Sequence, residues 1–103
     1  MYDWKCESPD QIIQKAAETF RERGAQYGHS WEQVGEITKI LYPNGIKLET
    51  VSNFEKFHIL QWLIGKIVRY ANSGSIDSIH DAGVYSFILE YITKNFLTII
   101  NKF

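Results

Sequence analysis

Cysteine is all but missing. Cys6 stands alone, so no internal disulfide can form, and it has no companion at metal-ligand spacing. A stapled secreted domain and a zinc finger are both disfavoured, and a reducing cytosol fits. Proline occurs only twice in 103 residues, which excludes collagen-like and proline-rich low-complexity classes. An excess of charge is also lacking: eleven Lys and Arg face twelve Asp and Glu, for a net charge of -1. The chain has no global field for gripping a nucleic-acid backbone or an anionic membrane, so nucleic acid ranks low as a partner and any polyanion site is local. No apolar stretch approaches the roughly 18 residues of a membrane span, which predicts no membrane partner. Met1 to Pro9 carry Asp3, Lys5 and Glu7 where a signal peptide needs an unbroken apolar run, so a cytoplasmic location is expected.

Apolar and aromatic residues are plentiful. At 103 residues, 45 % of them hydrophobic, the chain is long enough to bury about 65 % of its unfolded surface as one domain. Three Trp, six Tyr and six Phe are many for so small a chain; a well-filled core is the default account, with a partner interface or a stacking pocket as the alternatives.

Local signals predict four helices. Ser8, Pro9 and Gln11 form a helix start, followed by Ile12, Ile13, Ala16, Ala17 and Phe20 at helical spacing, with Gly24 as the expected stop. After the link Ala25 to His29, Ser30 and Gln33 repeat the capping pattern before Trp31, Val34, Ile37 and Leu41. Tyr42-Pro43-Asn44-Gly45 is a turn, and Ile46 to Val51 reads as a connecting loop. Ser52 with Glu55 is expected to start the third helix, which runs to about Asn72 before Ser73-Gly74-Ser75 breaks it. The fourth is expected from Asp77 or Ser78 to Phe103. The predicted fold class is all-α: a four-helix bundle with short connections and a long C-terminal helix, in a single domain over residues 1–103 with an N-terminal arm over 1–7. Tyr91 to Phe103 is strongly apolar, with only Lys94 and Lys102 as charges. It is expected to pack back on the first helix or, favoured here, to contact another copy or a partner in a homo-oligomer.

Projected at 100° per residue, the third helix puts Phe57, Leu60, Ile64, Ile67, Val68 and Ala71 on a core side. The opposite side carries His58, Trp62, Gly65, Lys66 and Arg69. An ammonium and a guanidinium one turn apart, beside an indole and a glycine that leaves space, suit phosphate oxygens and a base. The competing account is a solvated charged face beside an interface Trp. Asp77 and Asp81 lie four apart and could hold a Mg²⁺ that bridges to substrate phosphates, or simply favour a helix N-terminus. The short link brings them toward Lys66 and Arg69, so Arg69 could equally pair with either carboxylate. Glu32 and Glu36 form a second carboxylate pair, metal-competent only where they face Asp77 and Asp81, and otherwise a solvated face with Lys39. Ala82, Gly83 and Ser86 are taken as a small face for close helix approach. No phosphate loop, nucleophile elbow or Cys/His dyad is present.

The order Tyr27-Gly28, Trp31, Lys66-Ile67-Val68-Arg69, Asp77 and Asp81-Ala82-Gly83-Val84-Tyr85 resembles small phage-encoded all-α domains, the nucleotide-modification-associated group. These look like distant relatives of MazG-type nucleotide pyrophosphatases. The resemblance covers roughly Arg21 to Glu90. It implies an oligomeric helical bundle in the host-cell cytoplasm that handles nucleotides, with Lys66, Arg69, Asp77 and Asp81 at the matching positions; the site expected beside it puts Lys66 and Arg69 on phosphate and Tyr27, Trp31, Trp62 and Tyr85 on the ligand. Mg²⁺ would sit on Asp77, Asp81, Glu32 and Glu36. MazG-type enzymes carry Glu-x-x-Glu and a later Glu-x-x-Asp, whereas both pairs here are spaced by four, a departure that weighs against hydrolysis. Two expectations follow: a nucleotide-binding protein that either hydrolyses its ligand with Mg²⁺ or sequesters it, as in counter-defence, and a non-catalytic interaction module using the aromatic surface and the last helix.

Overall fold

A computed structural model describes residues 8–95, the side chains of residues 26 and 27 excepted. The expected N-terminal arm over 1–7 and the stretch 96–103 of the expected fourth helix lie outside the described residues. Four helices follow one another: α1 (Pro9–Tyr27), α2 (Ser30–Leu41), α3 (Val51–Ser73) and α4 (Ile76–Asn95), with no strand among the described residues. The all-α fold class is therefore as the periodicity predicts. No helix among the described residues is long and apolar enough to cross a membrane.

The ends of the helices follow local chemistry, with displacements of one to four residues. At the start of α1 the Ser8 amide donates to Gln11 Oε1 at 2.9 Å and Pro9 takes the first helical position, where its missing N–H costs nothing. The helix does not stop at Gly24. It continues to Tyr27 and ends at Gly28, whose φ of 67° only glycine adopts freely and whose amide donates to Gly24 O at 2.9 Å. Asn72 Nδ2 lies 3.4 Å from where a Gly28 Cβ would sit, so the end of α1 rests on the end of α3. For α2 the cap position belongs to His29 rather than Ser30. The turn after α2 closes as expected, Gly45 N donating to Tyr42 O at 3.0 Å.

Thr50, not Ser52, caps α3. Thr50 Oγ1 accepts from the Asn53 amide at 3.1 Å, and Asn53 Oδ1 accepts in return from the Thr50 amide at 3.1 Å. Threonine two residues upstream wins because Asn53 supplies the reciprocal acceptor three positions on. Thr50→Ala is expected to lower stability by about 1 kcal/mol, seen as a lower urea midpoint with unchanged slope, while Thr50→Ser retains most of it. Gly74, in the left-handed conformation with its amide 2.7 Å from Tyr70 O, ends α3. Ser75 Oγ then accepts from the Ser78 amide at 3.3 Å and opens α4. Two residues thus turn the chain back on itself.

α3 is the hub. α4 packs along it, α2 leans on another side, and α1 touches it lightly. The core lies in the α3–α4 hairpin: Ile59, Ile64 and Val68 from α3 meet Ala82 and Ile92 from α4, with Ser78 also buried. Because two helices flank α3, its buried residues spread around it. Of the expected core stripe, Ile64 and Val68 are buried and Phe57 and Leu60 are half-buried, while Ile67 and Ala71 are exposed near its open end. On α4 the small residues that permit close approach are Ser78 and Ala82; Gly83 and Ser86 face outward. α2 is tied to α3 by Thr38 Oγ1 and Gln61, 3.2 Å apart, and by Asn72 Nδ2 donating to Gln33 Oε1 at 2.9 Å.

Candidate functional site

Helical spacing places Trp62, Gly65, Lys66 and Arg69 on one side of α3, and the two-residue link to α4 brings Tyr85 against them. Together these five line a hollow of about 270 Å³. A Cβ on Gly65 would approach only Val34 Cγ2 of α2, at 4.0 Å. The Trp62 ring is held from two directions: His58 lies 4.1 Å from it and Tyr85 5.3 Å, both tilted. This clamp leaves the indole 48 % exposed, fixed in place with a face toward solvent.

Lys66 Nζ lies 3.0 Å from Asp81 Oδ2, with the two side chains 23 % and 41 % exposed. Of the two carboxylates that could have paired with Arg69, Asp81 pairs with Lys66. A pair this exposed contributes at most about 1 kcal/mol to folding. Its local effect is larger, because it holds the ammonium at the edge of the hollow and supplies an acceptor beside it. Asp77, one turn earlier on the exposed first turn of α4, favours the positive end of the helix dipole.

The two acidic pairs do not meet. α2 and α4 each lean on α3, so Glu32 and Glu36 stay exposed on α2, with Glu32 3.5 Å from His29 Nδ1. Among the described residues no three His, Cys, Asp or Glu side chains come together as ligands for an ion. The donor set for Mg²⁺ expected from Asp77, Asp81, Glu32 and Glu36 is therefore not assembled, and Asp81 already faces an ammonium. These residues do not fit the four-carboxylate centre that the family resemblance implies.

A second hollow of about 250 Å³ adjoins the first. Phe20, Arg23 and Gly24 of α1, then His29 and Trp31 at the start of α2, line it together with Arg69, which belongs to both hollows. The His29 ring lies 5.6 Å from Phe20 and 5.9 Å from Trp31, stacked on each within 28°. Trp31 thus falls in the neighbouring hollow rather than beside Trp62. The Tyr27 side chain lies outside the described residues. Phe20, Arg23 and His29 escape a sequence reading because they gather only through the angle at which α1 crosses the end of α3; Phe20 enters that reading only as part of the first helix's apolar periodicity.

A third hollow, about 400 Å³ and wide open, lies between α2 and α3 beside the loop that follows α2. Tyr42 lines it, and burial pushes its phenol above the usual tyrosine range. It holds one cation, Lys39, whose ammonium donates to Pro43 O at 2.6 Å. The first two hollows, with their several cations and rings, are the stronger candidates for an anionic ligand. No protein-family model, curated protein or solved structure matches the chain.

Proposed function

We propose that the protein binds a nucleotide or a nucleotide-derived small molecule at the α3–α4 hollow and sequesters it without turnover. The observation that carries this reading is the convergence of Lys66, Arg69, Trp62 and Tyr85 on one hollow. A guanidinium fork matches phosphate oxygens in two places at once, and an ammonium adds a point charge that Asp81 positions. A clamped, half-exposed indole offers a base a stacking face at little entropic cost. Arg21 to Glu90 resemble phage-encoded domains, which makes capture of a nucleotide signal, as in counter-defence, the role that fits. The unassembled carboxylates support capture rather than hydrolysis.

Thermal unfolding against a panel of nucleoside mono-, di- and triphosphates tests this. A ligand at a hundred times its Kd adds about 2.7 kcal/mol, a rise in midpoint on the order of 10 °C for a chain this small. With Mg²⁺ and triphosphates, chromatography is expected to show no monophosphate released. No shift with any nucleotide overturns the reading, and steady release of monophosphate overturns its non-catalytic part.

A second reading concerns assembly, and a specific face favours it. α4 is apolar on both sides, yet α3 covers only one. The outer side carries Ile76, Val84, Phe87 and Tyr91, the last two 72 % and 65 % exposed. Four large apolar side chains left exposed in one row form a contiguous patch, the kind of surface that marks an interaction site. Its occupant is a second copy of this chain, pairing α4 with α4 about a two-fold axis. Of the expected contact over residues 91–103, Tyr91 to Asn95 are described and 96–103 are not.

A further inference from the structure

We propose that the two hollows on either side of Arg69 are a single site, and that its ligand class is a small molecule with two bases joined by phosphate, linear or cyclic. This rests on the nucleotide reading above and goes beyond it by assigning Phe20, Arg23, His29 and Trp31 to ligand binding. Arg69 lines both hollows, so a phosphate at its guanidinium stands between them. Each side repeats the same pair of features. On one side Lys66 accompanies Trp62 and Tyr85; on the other Arg23 accompanies Trp31, His29 and Phe20.

Size and charge agree. Each hollow is smaller than the 300–1,000 Å³ of ordinary small-molecule sites, while the two together, about 500 Å³, fall inside that range. A net charge of -1 for the whole chain provides no track for a strand, so one or two bridging phosphates suit this site better than the longer anion of a polymer. The rings agree as well. Trp31, at the end of the Phe20–His29–Trp31 stack, is 63 % exposed, and Trp62 is 48 % exposed. Trp62, held between His58 and Tyr85, and Trp31, stacked on His29, are two platforms with open faces, one for each base.

The test is isothermal titration of the full chain with adenosine and guanosine monophosphates, with linear and cyclic diadenosine and diguanosine monophosphates, and with an eight-nucleotide single strand. At least one two-base compound is expected to bind ten-fold or more tightly than its mononucleotide. Trp31→Ala is expected to cost that compound about ten-fold while leaving the mononucleotide unchanged, whereas Arg69→Ala weakens both. Trp31 is exposed, and circular dichroism with an unchanged unfolding midpoint checks that the variant folds. Equal binding of one-base and two-base compounds, with Trp31→Ala inert, overturns the joint site and leaves the nucleotide reading intact. Tighter binding of the eight-mer overturns the small-molecule class. Binding of none of these overturns both readings.

Discussion

Asp81→Asn is expected to tighten binding of a phosphate-bearing ligand, by about three- to five-fold, while Lys66→Ala weakens it ten-fold or more. The opposite signs follow from one contact. Asp81 Oδ2 sits 3.0 Å from Lys66 Nζ, so a phosphate entering the hollow meets an ammonium already partly neutralised and a carboxylate that repels it. Removing that negative charge relieves a repulsion of about 1 kcal/mol at a half-exposed site. Removing the ammonium deletes a charge-assisted bond of about 1.5–3 kcal/mol. Neither change threatens the fold, since an ion pair this exposed contributes so little to it. The sign for Asp81 also separates two chemistries. Were Asp81 a ligand for Mg²⁺ bridging to the phosphates, Asp81→Asn would weaken binding, and only in the presence of Mg²⁺. Titration with and without Mg²⁺, repeated at raised salt, decides between them; the counter-ion role predicts weaker binding as salt rises, in both the parent and the variant.

The parts of this molecule legible in its sequence are those that depend on near neighbours. Ser8-Pro9 with Gln11, the turn Pro43-Asn44-Gly45 and the break Ser73-Gly74-Ser75 mark the elements because capping and positive φ are local matters. The starts of α2 and α3 slip by one or two residues where two capping candidates compete, His29 against Ser30 and Thr50 against Ser52. The side of α3 with Trp62, Lys66 and Arg69 is legible too, since 100° per residue needs no tertiary information, and a two-residue link leaves α4 little choice of position. What depends on the crossing of distant helices is not legible. Phe20 and Arg23 reach Arg69 only because Gly28 lets α1 end against Asn72. Glu32 and Glu36 miss Asp77 and Asp81 only because α2 and α4 both lean on α3. Spacing alone favours a solvated face for the two glutamates, and only the crossing of the helices decides it.

Phe87→Glu is expected to break the protein into single chains, the largest effect of any substitution on the outer side of α4. Phe87 is 72 % exposed in the lone chain, midway along a row from Ile76 to Tyr91. In a two-fold assembly each substitution counts twice. Losing two buried Phe side chains costs about 2–3 kcal/mol apiece, and two carboxylates held in an apolar contact cost more, so the dimer weakens by upward of about 5 kcal/mol, or several thousand-fold in Kd. The consequence for stability is also large, because the chain's own described core consists of Ile59, Ile64, Val68, Ala82 and Ile92, none of them less than 2 % exposed. Covering α4 from outside, as in the proposed pairing, would supply burial that the hairpin lacks. Light scattering is expected to give twice the 12.0 kDa chain mass for the parent and for Phe87→Leu, and the single mass for Phe87→Glu. The parent's unfolding midpoint is expected to rise with protein concentration, as mass action requires of an obligate pair, and that of Phe87→Glu to lie lower and stay constant. A parent that runs at the single mass across the whole concentration range removes the second copy, and leaves the outer side of α4 to a different protein that a stoichiometric complex would reveal.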